Sequence, residues 1–170
     1  MSLLLNIGSG QRRFSEPWIN ADCVSREGQV PDVVMNALEL WPWDDESAEI
    51  VCFHHVLEHF GCGEATPAIR EAWRVLKPGG QLLVFVPDMR ALARRWFTGQ
   101  LSDQIYFTNL YGAYQSEEGD RHKWGFTIES LRDFLESCAE WKGVSLMMKE
   151  TIPGADIAWD WWILSMRAVK

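Results

Sequence analysis

Two clusters in this sequence hold residues that do chemistry. The first is Gly8-Ser9-Gly10, reached at the end of the apolar run Leu3-Leu4-Leu5-Asn6-Ile7. A short apolar run that stops at glycine reads as a buried strand ending in a tight turn. Glycine takes backbone angles that other residues cannot, and it lets a ligand lie against the main chain. Asp22 follows at the end of a second strand, Trp18-Ile19-Asn20-Ala21-Asp22. A carboxylate there accepts two hydrogen bonds side by side, which suits the paired hydroxyls of a ribose. Asn36 closes the apolar segment Pro31 to Leu38, and its amide offers both a donor and an acceptor, enough to match the edge of an adenine.

The second cluster is His54-His55-Val56-Leu57-Glu58-His59, directly after the strand Glu49-Ile50-Val51-Cys52-Phe53. His55-x-x-Glu58-His59 has the spacing of a zinc motif, with Cys62 nearby as a conceivable third ligand. That motif needs to sit well inside a helix. Here His55 directly follows a strand, and Gly61 and Gly63 break the segment, so no metal is expected and His59 is read as bonded to a backbone carbonyl.

The elements that position these clusters alternate between strand and helix. Thr66 is a candidate N-cap with Pro67 at the first helical position, and Ile69, Ala72, Trp73 and Leu76 share a face. Lys77-Pro78-Gly79-Gly80 ends that helix, and Gln81 to Pro87 is a fifth, fully buried strand with Asp88 at its end. Met89 to Phe97 reads as a helix. Residues 98–126 form a long segment of weak periodicity that holds Tyr106, Phe107, Tyr111, Tyr114, Arg121, His122 and Trp124; a connection this long is often a lid or binding element. Thr127 caps a last helix, and Val144 to Thr151 and Trp159 to Val169 read as two closing strands.

With 170 residues and 47% apolar content, residues 1–170 read as a single domain with room for a real core. The net charge of −8 argues against a bulk nucleic-acid binder, although Arg90, Arg94 and Arg95 could form a local patch. No apolar run approaches the roughly 20 residues that span a bilayer. The start of the chain lacks a basic region and a cleavage pattern, so no signal peptide is expected. Four scattered cysteines without a CxxC pair read as free thiols of a cytoplasmic protein.

Three strings, Leu5 to Gly10 (L-N-I-G-S-G), His55 to Phe60 (H-V-L-E-H-F) and Leu76 to Gly80 (L-K-P-G-G), stand in an order that resembles the class I S-adenosylmethionine-dependent methyltransferases, in particular their small members. The resemblance covers nearly the whole chain. It implies an α/β, Rossmann-like, seven-stranded and mostly parallel sheet in the order 3-2-1-4-5-7-6, with strand 7 antiparallel and helices on both faces. It implies a cofactor site of Asn6, Gly8, Ser9, Gly10, Asp22, Asn36, Ala37, Leu38, His54 and His55, taking S-adenosylmethionine and releasing S-adenosylhomocysteine. This chain departs from the family at Asn6 and Asn36, where relatives often carry acids, and in lacking most of the helix after the glycine turn.

The expected reaction is direct in-line methyl transfer to a small-molecule acceptor, with no covalent enzyme intermediate. Where the acceptor must lose a proton, His122 is the first candidate base and His55 the second, because histidine titrates near neutral pH. A homo-oligomer is compatible with the sequence. Two rivals are a methyltransferase-like binding or scaffold protein without turnover, and a nicotinamide-dependent oxidoreductase. The second is disfavoured, because a dinucleotide fingerprint needs a third glycine where Arg13 stands and an acid further along than Asp22.

Overall fold

Leu5, Ile7, Val51, Phe53, Leu82 and Val84 are all buried, and they come from three short runs that lie side by side. Near-continuous apolar runs are the pattern of parallel strands covered on both faces. The computed structural model describes residues 3–25, 28, 30–113, 120–157 and 159–170; Tyr114, singled out in the sequence, lies outside the described residues.

Among the described residues, seven strands form one sheet: β1 (Leu3–Ile7), β2 (Trp18–Asp22), β3 (Val33–Val34), β4 (Ala48–His54), β5 (Leu76–Pro87), β6 (Gly143–Leu146) and β7 (Ile163–Val169). Their order is β3-β2-β1-β4-β5-β7-β6. The pairs among β1 to β5 are parallel, and β7 is antiparallel to both β5 and β6. This is the order and direction that the resemblance implied.

Alternation along β5 divides the core in two, because successive strand residues point to opposite faces. Leu82, Val84 and Val86 join a cluster with Ile69 and Ala72 of α1 (Thr66–Val75) and Leu131 and Leu135 of α4 (Ile128–Cys138). Leu83 and Phe85 join the other cluster, with Phe14, Trp18, Met147 and Ile152. The helix expected in relatives after the glycine turn is absent. The chain from Gln11 to Pro17 crosses in turns and extended backbone, and Phe14 supplies apolar cover on that face. Trp41 is buried, with its indole N–H donating to the Ala37 carbonyl at 3.0 Å, and is a core residue.

The structure differs from the sequence reading at several boundaries. β3 is two residues long, and Asp32 just before it is tied to Asn20 and Arg13. Helix α1 begins at Thr66, so Ala65 is its N-cap and makes no side-chain cap bond. β5 starts at Leu76 and continues through Gly79 and Gly80, where Gly79 N–H donates to the Lys170 carbonyl. Asp88 is a helix cap: its Oδ1 accepts from the amides of Arg90 and Ala91 at the start of α2 (Met89–Phe97). The long segment contains a helix, α3 (Asp103–Tyr111). None of its residues is buried, so it has no apolar stripe for a periodicity to reveal.

Thr127 does cap α4, in a reciprocal box: the Ser130 amide donates to Thr127 Oγ1 and the Thr127 amide to Ser130 Oγ. A Thr127→Ala variant is expected to lose about 1 kcal/mol of stability, and Thr127→Ser to lose much less. Urea unfolding followed by circular dichroism checks this; equal midpoints for wild type and the alanine variant would show that the box adds nothing.

Candidate active site

The site is built on the turn that ends β1. Gly8 has φ +70°, and a Cβ placed there would lie 2.6 Å from Val56 Cγ2. Glycine therefore lets the loop after β4 close onto the turn after β1. The amides of Gly8 and Ser9 both donate to the Ala21 carbonyl, at 2.8 and 3.0 Å. Gly10 has φ +48°, and a Cβ placed there would meet nothing within 4 Å, so its backbone faces open space. Its amide donates to Asp22 Oδ2 at 2.7 Å, and Asp22 Oδ1 accepts from the Val24 amide at 2.9 Å. A carboxylate has about four acceptor positions, so Asp22 still has room for two hydroxyls.

Two cavities flank the turn. One, of about 370 Å³, is bounded by Gly8, Gly10, Asp22, Asn36, Ala37, Leu38, His55, Val56, His59 and Phe60, with Asp120 and Lys123 also in its wall. The other, of about 350 Å³, is bounded by Gly8, Ser9, Gly10, Arg12, His54, His55 and Trp162. They share Gly8, Gly10 and His55. In the second wall, Ser9 Oγ and His54 Nε2 are buried without a hydrogen-bond partner among the described residues. Buried polar atoms in this state call for a ligand or water. In the first, Asn36 Oδ1 accepts from the Leu38 amide and its Nδ2 donates to Glu39, which leaves one N–H for a ligand.

Asn6 lines neither cavity. It is buried beneath the turn, where its Nδ2 donates to the Arg12 carbonyl and to Asn20 Oδ1, so it acts on the site by holding the turn. His122 also lines neither cavity.

The histidine segment does not form a helix face. Leu57–His59 is a single 3-10 turn, so His55 and His59 do not present themselves as a zinc pair. His55 has φ +58°, unusual for a residue with a side chain, and its Nδ1 lies 2.9 Å from Glu58 Oε1. Glu58 is fully buried, and its backbone carbonyl accepts from the amides of Lys123 and Trp124. These two bonds dock the end of the long segment onto the turn after β4. His59 Nδ1 bonds the Arg121 carbonyl at 3.1 Å, the backbone partner expected of it, and His122 Nδ1 bonds the Asn109 carbonyl at 2.7 Å. Glu58, Asp120 and Lys123 were not among the sequence-predicted site residues. For Glu58 a signal existed, a lone acid between histidines in an apolar string; for the other two the contact is long-range and left no local trace.

Burial pushes His54 down to about 3, with the neighbouring charges of His55 and Arg12 adding to the effect. Burial also lowers His122, against the opposing attraction of Glu58. Both rings are thereby favoured in the neutral form.

Known proteins share this architecture. Residues 5–84 match the family model described as "Methyltransferase domain". No curated protein matches the sequence. Among solved structures, the chain is similar to an S-adenosylmethionine-dependent methyltransferase from Archaeoglobus fulgidus (16% identity, 99% of this chain and 86% of that one, TM-score 0.64). It is also similar to a Thermotoga maritima methyltransferase described as a possible histamine N-methyltransferase (22% identity, 99% and 82%, TM-score 0.59). A third is the Burkholderia thailandensis 1,6-didemethyltoxoflavin-N1-methyltransferase, crystallised with 1,6-didemethyltoxoflavin and S-adenosylhomocysteine (14% identity, 99% and 71%, TM-score 0.59). Residues 5–84 thus match a methyltransferase domain, and the fold of the chain is that of solved S-adenosylmethionine-dependent methyltransferases. The cofactor of that class is S-adenosylmethionine, and the open glycine turn, the acid at the end of β2 and the two unpartnered buried atoms are compatible with it.

A depressed histidine makes acid destabilising, because the unfolded chain takes up a proton that the folded chain refuses. Stability owed to a neutral His54 is complete above pH 6.5 and is lost as pH falls from there toward about 3. A His54→Phe variant is expected to show a shallower acid limb than wild type, by up to about 1.4 kcal/mol per pH unit. Urea midpoints across that range measure it; parallel curves would mean that His54 is not held neutral.

Proposed function

We propose that the protein transfers a methyl group from S-adenosylmethionine to a small-molecule acceptor by direct in-line displacement. The observation that carries this reading is the open backbone at Gly10, tied to Asp22 and flanked by two cavities that meet at His55. The cofactor supplies a methyl on a cationic sulfur, which needs positioning more than activation. In this reading Asp22 takes the ribose, and Asn36, Ala37 and Leu38 border the adenine. Gly8, Ser9 and His54 face the methionine part. Asn6 serves indirectly, through the turn.

For an acceptor that must lose a proton, the geometry favours His55 over His122. His55 lines both cavities, and a carboxylate on Nδ1 keeps the proton there and leaves Nε2 to accept one. The long segment reaches this site through Asp120 and Lys123, which line the cavity that also holds Asp22 and Asn36. The acceptor size is supported by the neighbours whose printed names carry small substrates. A cytoplasmic location is inferred from four scattered cysteines with no CxxC pair among them.

Calorimetric titration with S-adenosylhomocysteine, beside NADH, tests the cofactor. Micromolar binding of the first alone is expected, weakened about tenfold or more in Asp22→Ala, which removes two charge-assisted hydrogen bonds to a ribose. NADH binding alone would return the oxidoreductase reading, and binding with no turnover across an acceptor panel would favour the scaffold. Once an acceptor is found, His55→Ala is expected to lower kcat more than it weakens the cofactor, and His122→Ala to lower it less. An unchanged rate in His55→Ala would remove it as the base.

A further inference from the structure

Glu58, His59 and His122 each bring one potential ligand atom within 4.8 Å of the others. We propose that these three side chains form a binding site for a divalent first-row transition-metal ion such as Zn²⁺, beside the cavity whose wall His59 lines. Three independent features converge on it. Glu58 is 1% exposed, one oxygen is held by His55, and Oε2 has no partner among the described residues. A buried carboxylate oxygen left alone is costly, and a cation relieves it.

The two histidines are prepared in the same sense. Each bonds a backbone carbonyl through Nδ1: His59 to Arg121 and His122 to Asn109. A carbonyl only accepts, so each neutral ring keeps its proton on Nδ1 and its lone pair on Nε2. That outer bond is the usual support of a metal-ligating histidine. Their rings meet edge to face at 4.9 Å between centroids. Ligand atoms on one ion at about 2.1 Å lie roughly 3–3.5 Å apart, so small rotations of the rings close the set.

Two imidazoles and one carboxylate suit Zn²⁺, Co²⁺, Fe²⁺ or Ni²⁺ more than Mg²⁺ or Ca²⁺. Three protein ligands leave positions open, and His59 lies in the cavity wall. An oxygen-bearing acceptor could take an open position and be held toward the glycine turn. This role rests on the methyltransferase reading; the metal site itself does not. Two of the three residues of the H-x-x-E-H string thus take part, Glu58 and His59, with His122 in the place of His55, which instead holds the carboxylate.

The test uses the whole chain, stripped with a chelator and titrated with Zn²⁺ by calorimetry and with Co²⁺ by visible absorption. One equivalent of each is expected, with d–d bands for bound Co²⁺. His59→Ala and His122→Ala are each expected to weaken binding by more than the roughly 10–100-fold typical of losing an outer-shell partner, and Cys62→Ser to leave it unchanged. Circular dichroism confirms folding, and two histidine variants guard against failure of one. No binding by wild type, equal binding by both histidine variants, or loss in Cys62→Ser would overturn the site. Titration of the same stripped protein with S-adenosylhomocysteine separates the two readings. Metal bound without it would uphold the site and sink the cofactor assignment, and cofactor bound with no metal would do the reverse.

Discussion

Three amide hydrogens at the end of β1 hold the site together. Gly8 and Ser9 give theirs to one carbonyl at the end of β2, and Gly10 gives its own to the Asp22 carboxylate. Bonds to a charged group contribute about 1.5–3 kcal/mol and neutral ones about 0.5–1.5. Their larger effect is geometric. They turn the chain where strand order reverses between β1 and β4, the place where open α/β sheets keep their ligands. Asp22 cannot move without moving the backbone that faces the cavity, so turn and acid act as one unit.

The far side of the site depends on a second buried group. Glu58 is buried from solvent, where an unpaired carboxylate would be unfavourable. His55 answers one oxygen, and the Glu58 carbonyl receives the amides of Lys123 and Trp124. The same residue therefore orients the histidine between the two cavities and docks the segment that brings Asp120 and Lys123 to the wall of one cavity and His122 against His59. His55 carries a positive φ to reach its place, a backbone state that persists where surrounding structure enforces it.

The missing helix after the glycine turn has a structural replacement. Asn6, Asn20 and Asp32 form a linked set: Asn6 Nδ2 donates to Asn20 Oδ1, and Asn20 Nδ2 donates to Asp32 Oδ2 and to the Phe14 carbonyl. Asn20 Oδ1 also accepts from the Phe14 amide. Side-chain amides thus satisfy backbone groups that a helix would have satisfied internally. Asn6, with donors that a carboxylate lacks, fits that network, which gives its departure from the family pattern a physical reason.

Much was legible in the sequence because it is local or periodic. The buried runs of β1, β4 and β5, the glycines at Gly8 and Gly10, the acid closing β2 and the Thr127 cap each follow from a few neighbouring residues. Fold order was legible only through the resemblance of three strings to a known family. Other features needed the folded chain. Helix α3 has no buried residue, so no pattern marked it. Asn36 and Asp88 each bond their own local backbone, a use that residue type alone does not reveal. The sequence by itself determined the buried central strands and the glycine turn after β1. Only the tertiary structure decided which histidine faces the cavities and which stands behind Glu58, because that depends on contacts between residues more than sixty positions apart, such as His59 with Arg121.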